Sequence, residues 1–142
     1  MPTINNSINI SAPVEKVFAY LSDPRNSTEW FVGMTENTDV SGSGVGQHSR
    51  WTYTMIGIPF HGDSKLTEHV PNQRLVYEQT GGITSIMTFT FAPHEGGTKL
   101  GLDIDYTIPV PVLGKLAEKV VFKRNQREAQ MSMENIKERS EA

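Results

Sequence analysis

The 142-residue sequence contains no cysteine, which excludes disulfides, thiolate nucleophiles and cysteine-based zinc sites. Its core must therefore hold by packing alone. No apolar run approaches the ~20 residues that a membrane span needs. Thirteen Lys and Arg against sixteen Asp and Glu leave a net charge of -3, so a nucleic-acid binder working through a broad basic field is not expected. The opening residues Met1 to Asn6 have neither a basic stretch nor an apolar one, and on that pattern the expectation is a mature cytoplasmic protein. What the chain does have is 12 Gly, 8 Pro and 37% hydrophobic residues, enough for one domain over 1–142 that buries roughly 70% of its unfolded surface.

The pattern along the chain begins with period two. Ile4, Asn6, Ile8 and Ile10 fall on one side of a strand over Thr3 to Ile10. Ser11-Ala12-Pro13 then opens a helix, with Ser11 or Ala12 near its cap and Val14, Val17, Phe18 and Leu21 on one face. Asp23-Pro24 stops that helix and starts a second, shorter one carrying Trp30 and Phe31. From residue 33 onward, short alternating runs are separated by Gly and Pro turns, which is the mark of an antiparallel meander. In the last run Leu100, Leu102, Ile104, Tyr106 and Ile108 face one way, and Lys99, Asp103, Asp105 and Thr107 face the other. The covering layer is expected to be a helix over Val112 to about Arg139. Its stripe of Leu113, Leu116, Ala117, Val120 and Val121 is strong, and its far end reads as partly solvated. At 1.5 Å per residue it would run roughly 40 Å.

Several stretches carry a resemblance. They are Ile8 to Phe18, Leu21-Ser22-Asp23-Pro24, Trp30, Gly44-Val45-Gly46, Arg74-Leu75-Val76-Tyr77, Phe89 to Pro93 and Gly96 to Leu100. In order and spacing the chain resembles the START-like (SRPBCC, Bet v 1-like) superfamily, in its polyketide cyclase/dehydrase and lipid-transport branch. The resemblance implies an α+β helix-grip fold: a curved antiparallel seven-stranded sheet around a long C-terminal helix, two short helices after the first strand, and a cavity between sheet and helix. It is a poor guide to function, because one fold hosts many activities.

Alternation places Trp51, Tyr53 and Met55 together, Leu75 and Tyr77 together, and Met87, Phe89 and Phe91 together, joined by Tyr106. Aromatic rings with a polar tip suit an amphipathic ligand, and Met adapts to its shape. The bland alternative is that these side chains simply fill the core. Leu116 and Val120 on the last helix would face the same space, and Arg124 one turn on could hold a ligand carboxylate or reach out to water.

Catalytic signals are weak. Gly42-Ser43-Gly44-Val45-Gly46 joins two strands and lacks the Lys of a phosphate loop, so it reads as a hairpin connection. Of four histidines none stands at metal-ligand spacing, and neither metal nor cofactor is expected. His48 and His61 lie near the starts of neighbouring strands, and one turned inward would be the best general acid or base available. Asp103 and Asp105 read as a solvated outer face, as do Lys115, Glu118, Lys119 and Lys123 on the helix.

Three functions follow as expectations. The first is carriage or sequestration of a hydrophobic or aromatic small molecule such as a lipid, polyketide or isoprenoid, by a monomer or homodimer. The second is a cyclase or dehydratase using the same cavity, with His48, His61, Tyr77 or Tyr106 shuttling protons. The third is a protein-interaction or stress-response domain, for which a filled cavity and an exposed apolar patch are expected.

Overall fold

Strand β1 (Thr3–Ile10) leads into helix α1 (Val14–Ser22), a 3₁₀ turn (Pro24–Asn26) and the single turn of α2 (Ser27–Trp30). Six more strands follow: β2 (Met34–Ser41), β3 (His48–Met55), β4 (Ile58–Val70), β5 (Arg74–Gly81), β6 (Thr84–His94) and β7 (Gly97–Thr107). The chain ends in α3 (Val110–Glu141). This computed structural model describes residues 3–107 and 110–142, and for 110–118 the helical backbone alone. One seven-stranded sheet has the order β1-β7-β6-β5-β4-β3-β2, with every pairing antiparallel. This is the helix-grip architecture. Among the described residues no helix is long and apolar enough to cross a membrane.

The sheet bends at irregularities in register, between Met34 and Glu36, between Thr38 and Ser41, and between Leu66 and Glu68. An extra residue in one strand of a pair kinks it and increases the local twist. Alternation survives elsewhere, as in β7, where Thr98, Leu100, Leu102 and Tyr106 are buried and Lys99 and Asp103 are exposed. Asp105 faces outward too, accepting a hydrogen bond from Thr3 Oγ1 at 2.6 Å.

Neither Ser11 nor Ala12 caps α1. Pro13 occupies that position without a side-chain bond, and the backbone groups of Ser11 and Ala12 are engaged by distant partners. Ser11 N–H donates to Glu141 Oε2 at 2.8 Å, and Ala12 C=O accepts from Thr98 Oγ1 at 2.8 Å. Asp23 does cap the 3₁₀ turn, accepting from the Arg25 backbone N–H at 3.0 Å.

Helix α3 differs from the expectation at its two ends. It starts earlier, with Pro111 in its first turn where the missing N–H costs nothing. Its far end, expected to be partly solvated, is seated in the core: Met133 and Ile136 are 1% and 0% exposed. They pack with Val17, Phe18, Leu75, Phe91 and Leu100, beneath α1. The apolar count per turn is low there because α1 and the sheet supply most of the packing atoms.

Two glycines permit close approach. Gly62 on β4 pairs with Trp51 on β3, and a Cβ there would strike the indole and the Thr80 carbonyl. Gly33, at φ +94°, turns the chain from α2 into β2 directly against the Tyr53 ring.

Candidate functional site

Among the described residues the buried apolar side chains form three clusters. One lies beneath α1, a second gathers Met34, Trp51, Met55, Phe60, Ile83 and Val121, and a third joins Ile4, Tyr106 and Ala129. The space between them is a cavity of about 740 Å³, counting the solvent at its mouth. Its interior has room for roughly six water molecules. Each cluster contributes to the wall: Trp30, Met87 and Leu102 from the first, Met34, Trp51, Met55 and Ile83 from the second, and Ile4, Tyr106 and Ala129 from the third. A smaller pocket of about 360 Å³ adjoins it beneath the 3₁₀ turn and shares Trp30, Phe31, Met34, Gln79 and Met87.

Trp51, Tyr53, Met55, Met87 and Tyr106 line the main cavity, and Tyr77 and Phe89 line the smaller pocket. Leu75 and Phe91 instead sit in the solid packing beneath α1. Leu116, like Ile108, Leu113 and Ala117, lies outside the residues whose side chains are described. Val120 is 69% exposed and does not face the sheet, whereas Val121, the next member of the expected stripe, is buried and lies on the face of α3 that carries Ala129 and Met133. Arg124 is also exposed, and its guanidinium is engaged by Glu128 on the same helix, Nε to Oε1 at 3.1 Å. The cation is thus paired within the chain, not held ready for a ligand carboxylate.

His48 and His61 both point outward. His48 Nε2 lies 3.5 Å from Asp63 Oδ1, and His61 Nδ1 lies 3.0 Å from Thr52 Oγ1 on the exposed face. The alternation that turns Trp51, Tyr53 and Met55 inward puts His48 on the opposite face, and Phe60 inward does the same to His61. Among the described residues no three His, Asp or Glu side chains gather into a metal-binding group.

Polar atoms occupy the side of the cavity made by α3. Tyr53 OH donates to Glu128 Oε2 at 3.1 Å, and the Glu128 side chain is only 16% exposed. Burial and the neighbouring Glu128 charge both push the Tyr53 phenol well above its usual range, so it stays a neutral donor. Burial raises Tyr106 as well, and the hydrogen bond from Asn125 Nδ2 at 3.1 Å opposes that shift. Asn125 Oδ1 is buried with no partner among the described residues. On the sheet side, Ser85 Oγ donates to Gln79 Oε1.

The remaining polar tips are spent on structure. Trp51 Nε1 donates to the Asp63 carbonyl at 3.0 Å, leaving its ring as wall. Tyr77 OH donates to the Leu21 carbonyl at 2.8 Å and secures the end of α1. Ser132 Oγ accepts from Val32 N–H at 3.0 Å, and Asn135 Nδ2 donates to the Trp30 carbonyl at 3.2 Å, so α3 holds the turn carrying Trp30 and Phe31. Trp30 stacks on Phe31 at 5.2 Å, and Phe31 meets the Tyr53 ring edge-on at 5.7 Å.

Hydrophobic periodicity could not find Asn125, Glu128 and Ser132, because they interrupt it. The readable signal is their spacing: with Val121 and Ile136 they recur every three or four residues along one face of α3.

The family described as polyketide cyclase / dehydrase and lipid transport matches residues 1–141. The chain belongs to that family. No curated protein matches it in sequence. Among solved structures it is similar to TTHA0849 from Thermus thermophilus, at 22% identity and TM-score 0.86, covering 98% of this chain and 97% of that one. It is also similar to CV1439 from Chromobacterium violaceum, at 21% identity and TM-score 0.77, covering 99% and 97%. A third is the Zhui aromatase/cyclase from Streptomyces sp. R1128, at 16% identity and TM-score 0.77, covering 99% and 93%. At these identities the structures show a shared helix-grip fold.

Proposed function

We propose that the chain is a one-domain binding module that carries or sequesters a hydrophobic or aromatic small molecule between the sheet and α3. The observation that supports this most is the division of the core into three clusters around an apolar cavity. A domain selected only for stability gains by closing such a space, since unfilled volume forfeits packing. Membership of a family that includes lipid transport supports it as well. The interaction-domain alternative expects a filled cavity and has less support.

The test is titration with N-phenyl-1-naphthylamine, a neutral apolar fluorophore. Saturable enhancement at one dye per chain is expected, and Ala129→Phe, which fills the cavity from α3, is expected to abolish it while the circular dichroism spectrum is retained. Enhancement unaltered by Ala129→Phe would refute the reading.

A second reading, a cyclase- or dehydratase-type enzyme, draws on one contact. Tyr53 and Glu128 meet in the cavity wall, where a neutral phenol donor could polarise a carbonyl and a carboxylate could take a proton from the neighbouring carbon. Under it, Glu128→Gln abolishes turnover of a poly-β-keto chain and leaves dye binding intact. Turnover undiminished in that variant would exclude this role.

A further inference from the structure

We infer that the cavity selects apolar ligands bearing a neutral hydroxyl, a phenol, enol or alcohol, and rejects the carboxylates of otherwise similar ligands. The inference rests on the binding reading above and adds the chemistry of the ligand's polar end. That end is read by three residues on the α3 side of the cavity: Tyr106, Asn125 and Glu128.

Asn125 and Tyr106 hydrogen-bond to each other at 3.1 Å, and both line the cavity. With the amide nitrogen donating to the phenol oxygen, the Asn125 carbonyl oxygen remains a buried acceptor without a partner among the described residues, and the Tyr106 hydroxyl hydrogen remains free to donate. With the amide turned over, the phenol donates to the carbonyl oxygen, leaving an N–H as donor and a phenol lone pair as acceptor. Either way the pair offers one donor and one acceptor side by side. A hydroxyl group, which both donates and accepts, satisfies both. A carboxylate only accepts, and would leave the acceptor of the pair unsatisfied in a buried place.

Glu128 adds the charge argument. Among the described residues it is the one carboxylate of the cavity wall, largely buried, and its oxygens each accept one hydrogen bond, from Tyr53 and from Arg124. Each oxygen retains room for a second donor. Arg124, whose side chain is 54% exposed, already pairs with Glu128, and it does not line the cavity. Among the described residues no cation lines the cavity, so an anionic ligand meets the Glu128 carboxylate with only Arg124, on its solvent side, to offset the charge. The selection is set by residues that interrupt the apolar pattern of α3, and it reverses the carboxylate role expected for Arg124.

The test is calorimetric titration at neutral pH with 2-naphthol, 2-methylnaphthalene and 2-naphthoate, which share one ring system. Wild-type protein is expected to bind naphthol most tightly and naphthoate least, with a gap of about tenfold or more between them. Glu128→Gln is expected to raise naphthoate affinity and close most of that gap. Asn125→Leu is expected to bring naphthol down to methylnaphthalene, whose own binding serves as the check that the cavity is intact. If Asn125→Leu does not fold, Tyr106→Phe tests the same pair. Naphthoate bound as tightly as naphthol by wild type, or a gap unchanged in both variants, overturns the inference and leaves the binding reading standing. Failure of all three compounds to bind overturns both.

Discussion

Tyr53 on β3 donates its phenolic hydrogen to the Glu128 carboxylate on α3 at 3.1 Å, so sheet and helix are joined by a charge-assisted bond in the cavity wall. The two residues are 75 positions apart in the chain. Because the carboxylate is 16% exposed, part of the bond's worth is recovered from water when it is lost. Tyr53→Phe is therefore expected to destabilise the fold by about 1–2 kcal/mol, read from the midpoint of urea denaturation. A change below about 0.3 kcal/mol would mean that the bond does not form in solution.

All four tyrosines, Tyr20, Tyr53, Tyr77 and Tyr106, are shifted upward, burial being the largest cause in each. In the unfolded chain they ionise near pH ~10. Between that value and their higher folded values the native state holds protons that the unfolded state has lost, so stability falls as pH rises. Below pH ~10 both states are protonated and this contribution is fully present. Alkaline titration is expected to show little tyrosinate absorbance at the ordinary pH, then a late rise that coincides with unfolding. A simple titration near pH ~10 with the fold intact would contradict the burial described.

The C-terminal half of α3 is docked through Met133 and Ile136. Met133→Ala and Ile136→Ala are each expected to cost about 2–5 kcal/mol, because both side chains are essentially inaccessible. Val120→Ala, at a site 69% exposed, is expected to stay within about 0.5 kcal/mol of wild type. Chemical denaturation of the three variants checks the contrast, and equal losses would put the helix in the wrong rotation.

Gly62→Ala introduces a methyl group where the Trp51 indole and the Thr80 carbonyl already stand. Overpacking of this kind costs about 1–3 kcal/mol, and here it would also push Trp51 into the cavity. A lower denaturation midpoint together with weakened dye binding is the expected outcome.

Arg124→Met removes a guanidinium paired on the exposed side of its own helix. It is expected to change stability by no more than about 1 kcal/mol and to leave neutral-dye affinity as it was. His48→Gln and His61→Gln, on the outer face, are expected to leave dye binding equally unmoved. A loss of dye affinity in any of these three would place the residue nearer the cavity than the structure does.

The sequence by itself determined the order of elements and the facing of most strand residues. Strand alternation is a local property with period two, so Ile4 and Ile10, or Leu100 and Leu102, reveal the covered face without knowledge of what covers it. The same parity places Trp51, Tyr53 and Met55 inward and, followed through, His48 outward. Tertiary structure alone decided which face of α3 meets the sheet. Val120, in the strongest stripe by hydropathy, is exposed while Val121 beside it is buried, and Met133 and Ile136 are seated by partners that come from α1 and the sheet. It also decided that Asn125, Glu128 and Ser132 face inward. A polar side chain is buried only where partners meet it, and here Tyr106, Tyr53 and Val32 are brought from 19, 75 and 100 residues away. No periodicity in the helix encodes that meeting, because its cause lies in the strands and turn on the other side of the cavity.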